Sequence, residues 1–590
     1  MPVLRRQIIL DFVRAGNNRS RKNKRAADCE IERDFFRQIP AARLPSFANC
    51  ISIKKISHAR KKLVRAQQKV KLGAKDKMKA ENFRATAFLK FIFTTAFAVL
   101  IFNFSANAQT NFINSLADLR AQIDAHLNEQ KFSAATWSVK VVALTNGKTI
   151  YENHGDRLMS PASNSKLYPA ALALTTFGGD YQIATPIFAN GKISDGILHG
   201  NLIISGRGDP SWKAKKFGTN FWNIFEPFVE AITNAGIQRV DGDLIADATF
   251  FRGPPTGASW AIDDLEDSDG AQISALTLED NYSDVRVEPG KNIGAACEIK
   301  IVEPDAPMNL VNRTRTVSRG SGKHLETWRA LDANKIYVLG ELPVGDAGDT
   351  LDIPVPRPAA WFGAALKEAL ARHGIIVSGK VRAISWPEIL PANGTNLTQI
   401  GEVKSPPLRE LLADFLKPSQ NLEADLIFLH AGETLRETNF PAWETSEDCA
   451  LAALEKFIFT NGIPPDVHFD EGSGLSRNNL TSANATVGLL QVMATNRWAA
   501  DFESALPIAG VDGTIRSRMR HTLAENNVHA KTGTLRWANS LSGYVTTAAG
   551  EKLAFSIMLN RYATPPEVRH APELDAIAIM LADFRGRSDE

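Results

Sequence analysis

Cysteine is scarce: there are four in 590 residues, and only Cys297 and Cys449 lie beyond residue 108. One disulfide between these two is compatible with the sequence, but spacing does not decide it. There is no C-x-x-C pair and no H-E-x-x-H, so a zinc site has no support and no cofactor is called for. The apolar run FIFTTAFAVLIF, Phe91 to Phe102, is shorter than the roughly 20 residues a membrane-spanning helix needs. No cysteine stands behind that run to accept a lipid anchor.

Surplus charge of one sign is also nearly missing from the whole, at a net +3, but the balance is uneven. Residues 1–108 hold 24 Lys and Arg against 7 Asp and Glu, leaving residues 109–590 with 44 basic and 58 acidic side chains, a net −14. An acidic body argues against nucleic acid as the partner. Residues 78–108 account for part of the split. Lys79, Arg84 and Lys90 precede the apolar run, and Ala106-Asn107-Ala108 supplies the small residues of a secretory cleavage site. The chain is therefore expected to be exported to the periplasm and cleaved after Ala108. A signal belongs at an N-terminus, so translation is expected to start at Met78, with residues 1–77 a basic leader from a misassigned start. A basic nucleic-acid-binding arm is the other reading of RSRKNKR and ARKKLVR.

At this length two to four domains are expected. WSVKVVAL and KTIYENH flank Thr145-Asn146-Gly147, which predicts a β-hairpin. SNSKLYPAALALTTF has helical spacing and ends at Gly178-Gly179, and Pro169 is expected to kink it or disturb its second turn. Residues 191–399 change to short β-rich runs separated by Gly, Pro and Asp. Helical patterns return at LRELLADFLK and ALAALEKFIF, and the tail gives two strands, SLSGYVTT and KLAFSIMLN, then a helix. The expected fold class is α/β (α+β): an antiparallel sheet flanked by helices, built from 109–190 and 400–590. One or two inserted β-rich domains at 191–399 interrupt it.

Three short motifs follow in order: Ser163-Asn164-Ser165-Lys166, Ser476-Arg477-Asn478 and Lys531-Thr532-Gly533. Each alone is weak. The i, i+3 spacing brings the Lys166 amine toward the Ser163 hydroxyl, so a neutral Lys166 can act as its base. Burial beside another cation is the usual means of lowering a lysine pKa. The backbone N–H groups of Ser163 and Thr534 are candidate oxyanion donors. No G-x-S-x-G surrounds Ser163 or Ser476, which sets aside an α/β-hydrolase esterase.

Together the motifs match the serine acyltransferase set of penicillin-binding proteins and β-lactamases. With SGRGDPSW (205–212), GDLIADATFF (242–251), SALTLEDNYSDVRVEPG (274–290), DEGSGLSRNN (470–479) and HAKTGTLRWANSLSGYV (529–545), the chain resembles one branch: the low-molecular-mass D-alanyl-D-alanine carboxypeptidases and endopeptidases. The long stretch between Ser163 and Ser476 fits that branch, since β-lactamases have a far shorter one. The resemblance implies that Ser163 is acylated by peptidoglycan peptides ending in D-Ala-D-Ala, and that β-lactams inhibit covalently. It implies that Lys166 is the base, that Ser476 relays a proton to the leaving amine, and that Asn478, or Asn479 one residue on, holds the substrate amide. Lys531 and Thr532 would bind the terminal carboxylate, while Gly533 admits the peptide to the strand. Trp260 and Asp263 would line a pocket for the diaminopimelate side chain, with a core Trp and a helix-capping Asp as the alternative. Peripheral association with the membrane or cell wall is compatible with this reading. A β-lactamase and a non-catalytic penicillin-binding sensor are the rival functions. Arg536-Trp537 departs from the smaller residues expected after Lys-Thr-Gly-Thr-Leu.

Overall fold

The computed structural model describes residues 113–330, 334–388, 397–562 and 572–589. The leader and export signal expected at 1–77 and 78–108 lie outside the described residues. Helix α1 (Leu116–Leu127) is capped by the Ser115 side chain, which accepts from the Asp118 N–H. Strands β1 (Thr136–Ala143) and β2 (Thr149–Asn153) pair antiparallel. Asn146 Oδ1 accepts from the Lys148 N–H at 2.9 Å and Gly147 takes φ +71, so the Asn-Gly pair turns the chain as its chemistry suggests.

Helix α2 (Leu167–Phe177) follows a single 3₁₀ turn, Ala162–Lys166. Pro169 neither kinks nor disturbs it. The 3₁₀ turn takes up the residues expected to open the α-helix, so Pro169 falls in the first α-helical turn, where N–H groups have no intrahelical partner to lose.

Beyond a long intervening segment come α3 (Asn421–Thr434), then β3 (His529–Leu535), β4 (Ala538–Thr546), β5 (Lys552–Asn560) and α4 (Pro572–Asp583). The central sheet runs β3-β4-β5-β1-β2, antiparallel throughout, so the two ends of the sequence meet at β1 and β5, with Val139 opposite Ile557 and Val141 opposite Phe555. Alternation along these strands serves two apolar layers. Val139, Val141, Phe555 and Ile557 pack with α1 and α4 on one face. Val142, Tyr544 and Ala554 pack on the other with α2, α3 and the helices Ser446–Thr460 and Ala483–Thr495. β3 stands at the edge of the order, and among the described residues its outer side meets only an isolated bridge from Ile508 to His529.

The intervening segment carries a seven-stranded sheet whose members include Ala184–Ser194, Ile197–Ser205 and Leu397–Lys404. Two three-stranded sheets share a small core of Val285, Val287, Ile336, Val338 and Leu342. The segment is not all β: the helices Glu226–Asn234 and Pro358–Arg372 bury Phe228, Ile232, Phe362 and Leu366 against the larger sheet. Cys297 and Cys449 are both buried and unpaired; the first sits in that small core and the second in the helix Ser446–Thr460, so the disulfide is not formed.

Candidate active site

A 3₁₀ turn has three residues per turn, so positions i and i+3 eclipse. The Ala162–Lys166 turn accordingly stacks Lys166 over Ser163, and the Lys166 ammonium donates to Ser163 Oγ at 3.0 Å. Ser163 is half-buried, whereas Lys166 has no exposed surface. The other two bonds of its Nζ reach Asn421 Oδ1 and the Ser473 carbonyl, both at 2.6 Å. Burial pushes the Lys166 pKa down to about 8, against the pull of Asp425, Glu471 and Asp269, which favour the charged form.

Across the cleft, β3 presents Lys531 and Thr532. Lys531 Nζ donates to Ser419 Oγ at 2.7 Å and to the Thr532 carbonyl at 2.8 Å. Burial, and then the charge of Lys166, hold the Lys531 pKa well below the ordinary lysine range. Thr532 Oγ1 lies 2.7 Å from Thr514 Oγ1. Gly533 is required for close approach: a Cβ there would stand 2.2 Å from the Pro161 carbonyl oxygen and 3.0 Å from the Asn164 nitrogen. Ser163, Ser419, Asn421, Gly474, Thr532 and Thr534 line one cleft of about 240 Å³. His529 is half-buried at the far end of the strand and takes no part in these bonds.

The structure does not bring Ser476 and Asn478 to the two lysines. Ser476 is fully buried and bonds its own loop: its Oγ accepts from the Asn478 N–H at 3.1 Å, and its N–H points to Glu471 Oε1 at 3.3 Å. Asn478 is exposed and donates to Ser259 Oγ and Asp470 Oδ2, each at 3.0 Å. Asn479, the alternative register, is buried and holds Glu471 and Ser165. The residues that meet the two lysines are Ser419 and Asn421, an S-x-N triplet that opens α3 with Gln420 as its cap. The signal was present as Ser-x-Asn ahead of a helical pattern, although the Gly-rich block at 470–479 is more conspicuous. Thr514 was also missed.

That Gly-rich block supports the Ser163–Lys166 turn instead. The buried Glu471 carboxylate accepts from the N–H groups of Ser473 (2.9 Å) and Gly474 (2.8 Å) and from Asn479 Nδ2 (2.8 Å). The resulting turn aims the Ser473 carbonyl at Lys166. Gly474, at φ +83, packs so near the Ala162–Lys166 turn that a Cβ would lie 2.1 Å from the Ala162 carbonyl oxygen.

The intervening segment supplies another wall. Trp260 is half-buried against the core of the large inserted sheet, and Asp263 is exposed on the 3₁₀ turn Ile262–Glu266. Neighbouring residues join this stretch to the cleft: Asp264 pairs with Arg477 at 3.1 Å, and the Asp269 carbonyl accepts from Asn421 Nδ2 at 3.1 Å.

A family model described as D-Ala-D-Ala carboxypeptidase 3 (S13) matches residues 119–578. Over 489 residues the chain is 33% identical to a D-alanyl-D-alanine carboxypeptidase of Actinomadura sp. (strain R39), covering 80% of this chain and 86% of that protein. It is 27% identical over 425 residues to the D-alanyl-D-alanine carboxypeptidase DacB of Haemophilus influenzae, covering 71% and 84%. The crystal structure of penicillin binding protein 4 from Haemophilus influenzae aligns with a TM-score of 0.66 at 25% identity, covering 78% of this chain and 97% of that one. A second structure of that protein, complexed with a β-lactam, aligns with a TM-score of 0.62.

Proposed function

The chain belongs to the D-Ala-D-Ala carboxypeptidase 3 (S13) family of low-molecular-mass penicillin-binding proteins, and we propose that Ser163 carries its acyl-enzyme chemistry on peptidoglycan peptides, as carboxypeptidase and DD-endopeptidase. One observation carries the assignment. Ser163 Oγ, a buried amine and a second serine and asparagine meet in one cleft, with a second buried lysine behind them.

In this reading neutral Lys166 accepts the Ser163 proton as Oγ attacks the carbonyl of the penultimate D-Ala. The N–H groups of Ser163 and Thr534 take the charge that develops on the carbonyl oxygen. Ser419 then relays that proton, taking it up as it gives its own to the amine of the departing D-Ala while the C–N bond breaks, so that Lys166 is neutral again; Asn421 orients Lys166 and the substrate amide. Water attacks the ester, restoring Ser163. In the endopeptidase reaction the leaving amine belongs to a cross-linked neighbour instead. Lys531, charged when a carboxylate arrives, holds that group with Thr532 and Thr514. Trp260 and Asp263 stand on the segment beside the cleft and suit an ammonium-bearing side chain such as that of diaminopimelate. Residues 78–108 export the chain to the periplasm, and sequencing the secreted protein should give a start near Gln109.

Labelled penicillin tests the assignment: it should form a covalent adduct on Ser163 that Ser163→Ala abolishes, because a strained lactam imitates the D-Ala-D-Ala peptide. An adduct on another serine refutes it. Digests of purified peptidoglycan, read by mass spectrometry, should show both loss of D-Ala and cleaved cross-links. A rapidly hydrolysed adduct would mark a β-lactamase, and an adduct without peptide turnover would mark a sensor.

A further inference from the structure

The turn between β3 and β4 has a chemistry that the catalytic cycle leaves unused. Leu535 pairs with Ala538, so Arg536 and Trp537 alone make the bend. Trp537 sits there at φ +71, in the left-handed region where a two-residue turn normally places glycine or asparagine. Its ring is not tucked away: the residue is 52% exposed, with the Arg536 guanidinium 5.4 Å from the ring centroid. Arg561, also exposed, is tied to the same turn by its N–H to the Trp537 carbonyl at 2.6 Å. One guanidinium, that of Arg536, therefore stands by a half-exposed indole, on a body whose residues 109–590 carry a net −14. Turn formation alone would be served better by glycine.

The position of this patch relative to the cleft gives it a direction. On the proposed function, the substrate's terminal carboxylate lies at Lys531, Thr532 and Thr514, and the attacked carbonyl lies over Ser163. The acyl half of the substrate must then continue along β3 past Thr534 and Leu535, which line the same cleft. An extended chain rises about 3.3 Å per residue, so a group two residues before the attacked D-Ala comes level with Arg536 and Trp537. In a stem peptide of the kind the family hydrolyses, that group is a γ-linked glutamate, which keeps its α-carboxylate.

We propose that Arg536 and Trp537 form an acyl-side subsite that binds a free carboxylate of the stem peptide two residues upstream of the scissile D-Ala, with Arg536 pairing the charge and the indole covering the peptide beside it. The inference rests on the catalytic reading of Ser163, and the test separates the two. Three substrates are compared with the purified protein: a pentapeptide ending in D-Ala-D-Ala with a free γ-glutamyl α-carboxylate, the same peptide with that carboxylate amidated, and a short N-acyl-D-Ala-D-Ala that ends before the turn. Arg536→Gln and Trp537→Gly are the variants, the second chosen because glycine suits φ +71.

Each variant should lower kcat/KM for the free-carboxylate pentapeptide about fivefold, the scale of one exposed ion pair or cation–π contact. The short substrate and penicillin acylation should stay within twofold. Amidation should cost the wild type the same factor, and Arg536→Gln should add nothing to it. Equal losses on all three substrates, or amidation without consequence, overturn the subsite. A loss on both pentapeptides confined to Trp537→Gly, with Arg536→Gln silent, overturns it in favour of apolar packing on the indole that reads no carboxylate. Failure of the wild type to turn over even the short substrate sinks the catalytic reading instead.

Discussion

Asn421→Asp is the most informative single change in the site, because it keeps the side-chain shape while placing a negative charge where Asn421 Oδ1 now lies 2.6 Å from Lys166 Nζ. In the native site burial brings the Lys166 pKa to about 8. At pH 7 such a lysine is roughly one-tenth neutral, whereas one at the ordinary value of about 10.4 is on the order of 0.04% neutral, so burial supplies roughly 200-fold more base. A depressed lysine pKa means the acylation rate should climb with pH up to about 8 and then level off. An opposite charge at this range raises a pKa by about 1–3 units. The acid limb of the variant should move up by that amount, the rate at pH 7 should fall about 10- to 1000-fold, and alkaline pH should restore it. The assay is the second-order rate of labelled-penicillin acylation from pH 6 to 10, with Asn421→Ala as the uncharged control, expected to be slow without an upward shift. If Asn421→Asp lowers the plateau but leaves the limb near pH 8, Lys166 is not the group that takes the Ser163 proton.

Ser419→Ala should cut turnover at least about 100-fold, the scale of a lost proton relay, whereas Ser476→Ala should stay within a few-fold and lower stability by about 1 kcal/mol through its lost bond to the Asn478 N–H. Steady-state rates beside thermal melts decide between them, and the reverse ranking would restore Ser476 to the mechanism. Lys531→Ala should weaken capture of carboxylate-bearing peptides more than attack on an activated ester that lacks the carboxylate; equal penalties would mean Lys531 does not read that group. Arg518→Met strands the Asp575 carboxylate, which Arg518 Nε now meets at 3.0 Å with both residues buried. Denaturant unfolding should show a loss of about 3–5 kcal/mol, and a loss below 1 kcal/mol would show that the buried pair relaxes into water.

What the sequence revealed of the site depended on how far apart the cooperating residues lie. Ser163 and Lys166 are three apart, and local helical geometry alone brings them together. The hairpin at Asn146-Gly147 and the paired strands after Lys531 were readable for the same reason, since turn chemistry and period-two alternation are local. The S-x-N triplet is different. Ser419 is 112 residues from Lys531, and Asn421 is 255 from Lys166, so only packing shows which Ser-x-Asn meets them. The block DEGSGLSRNN is chemically conspicuous for a structural reason. Its glycines allow several backbone N–H groups to converge on the buried Glu471, and this network builds the turn that buttresses Lys166. The inserted helix Pro358–Arg372 was hidden by its setting, because short β runs on both sides gave the region one texture.

The placement of the second motif also explains how the long insert is coupled to the chemistry. Helix α3 is buried along its length from Asn421 to Gly432, so its polar residues must each find a partner within the protein. Asn421 faces Lys166, and two positions on, Glu423 meets Lys213 of the insert. Asp425 accepts from the Gly472 N–H at 3.1 Å, in the turn that also presents Ser473 to Lys166. Lys213 lies 3.1 Å from Asp280 as well. Burial alone would lower its pKa, but the two carboxylates outweigh burial and hold it charged. A cation fixed between two buried acids is costly to separate, because pulling it away leaves a carboxylate without water or counter-ion. The insert therefore grips α3 within two residues of Asn421. Any displacement of the insert that keeps the Lys213 contact closed must carry with it the helix that bonds Lys166.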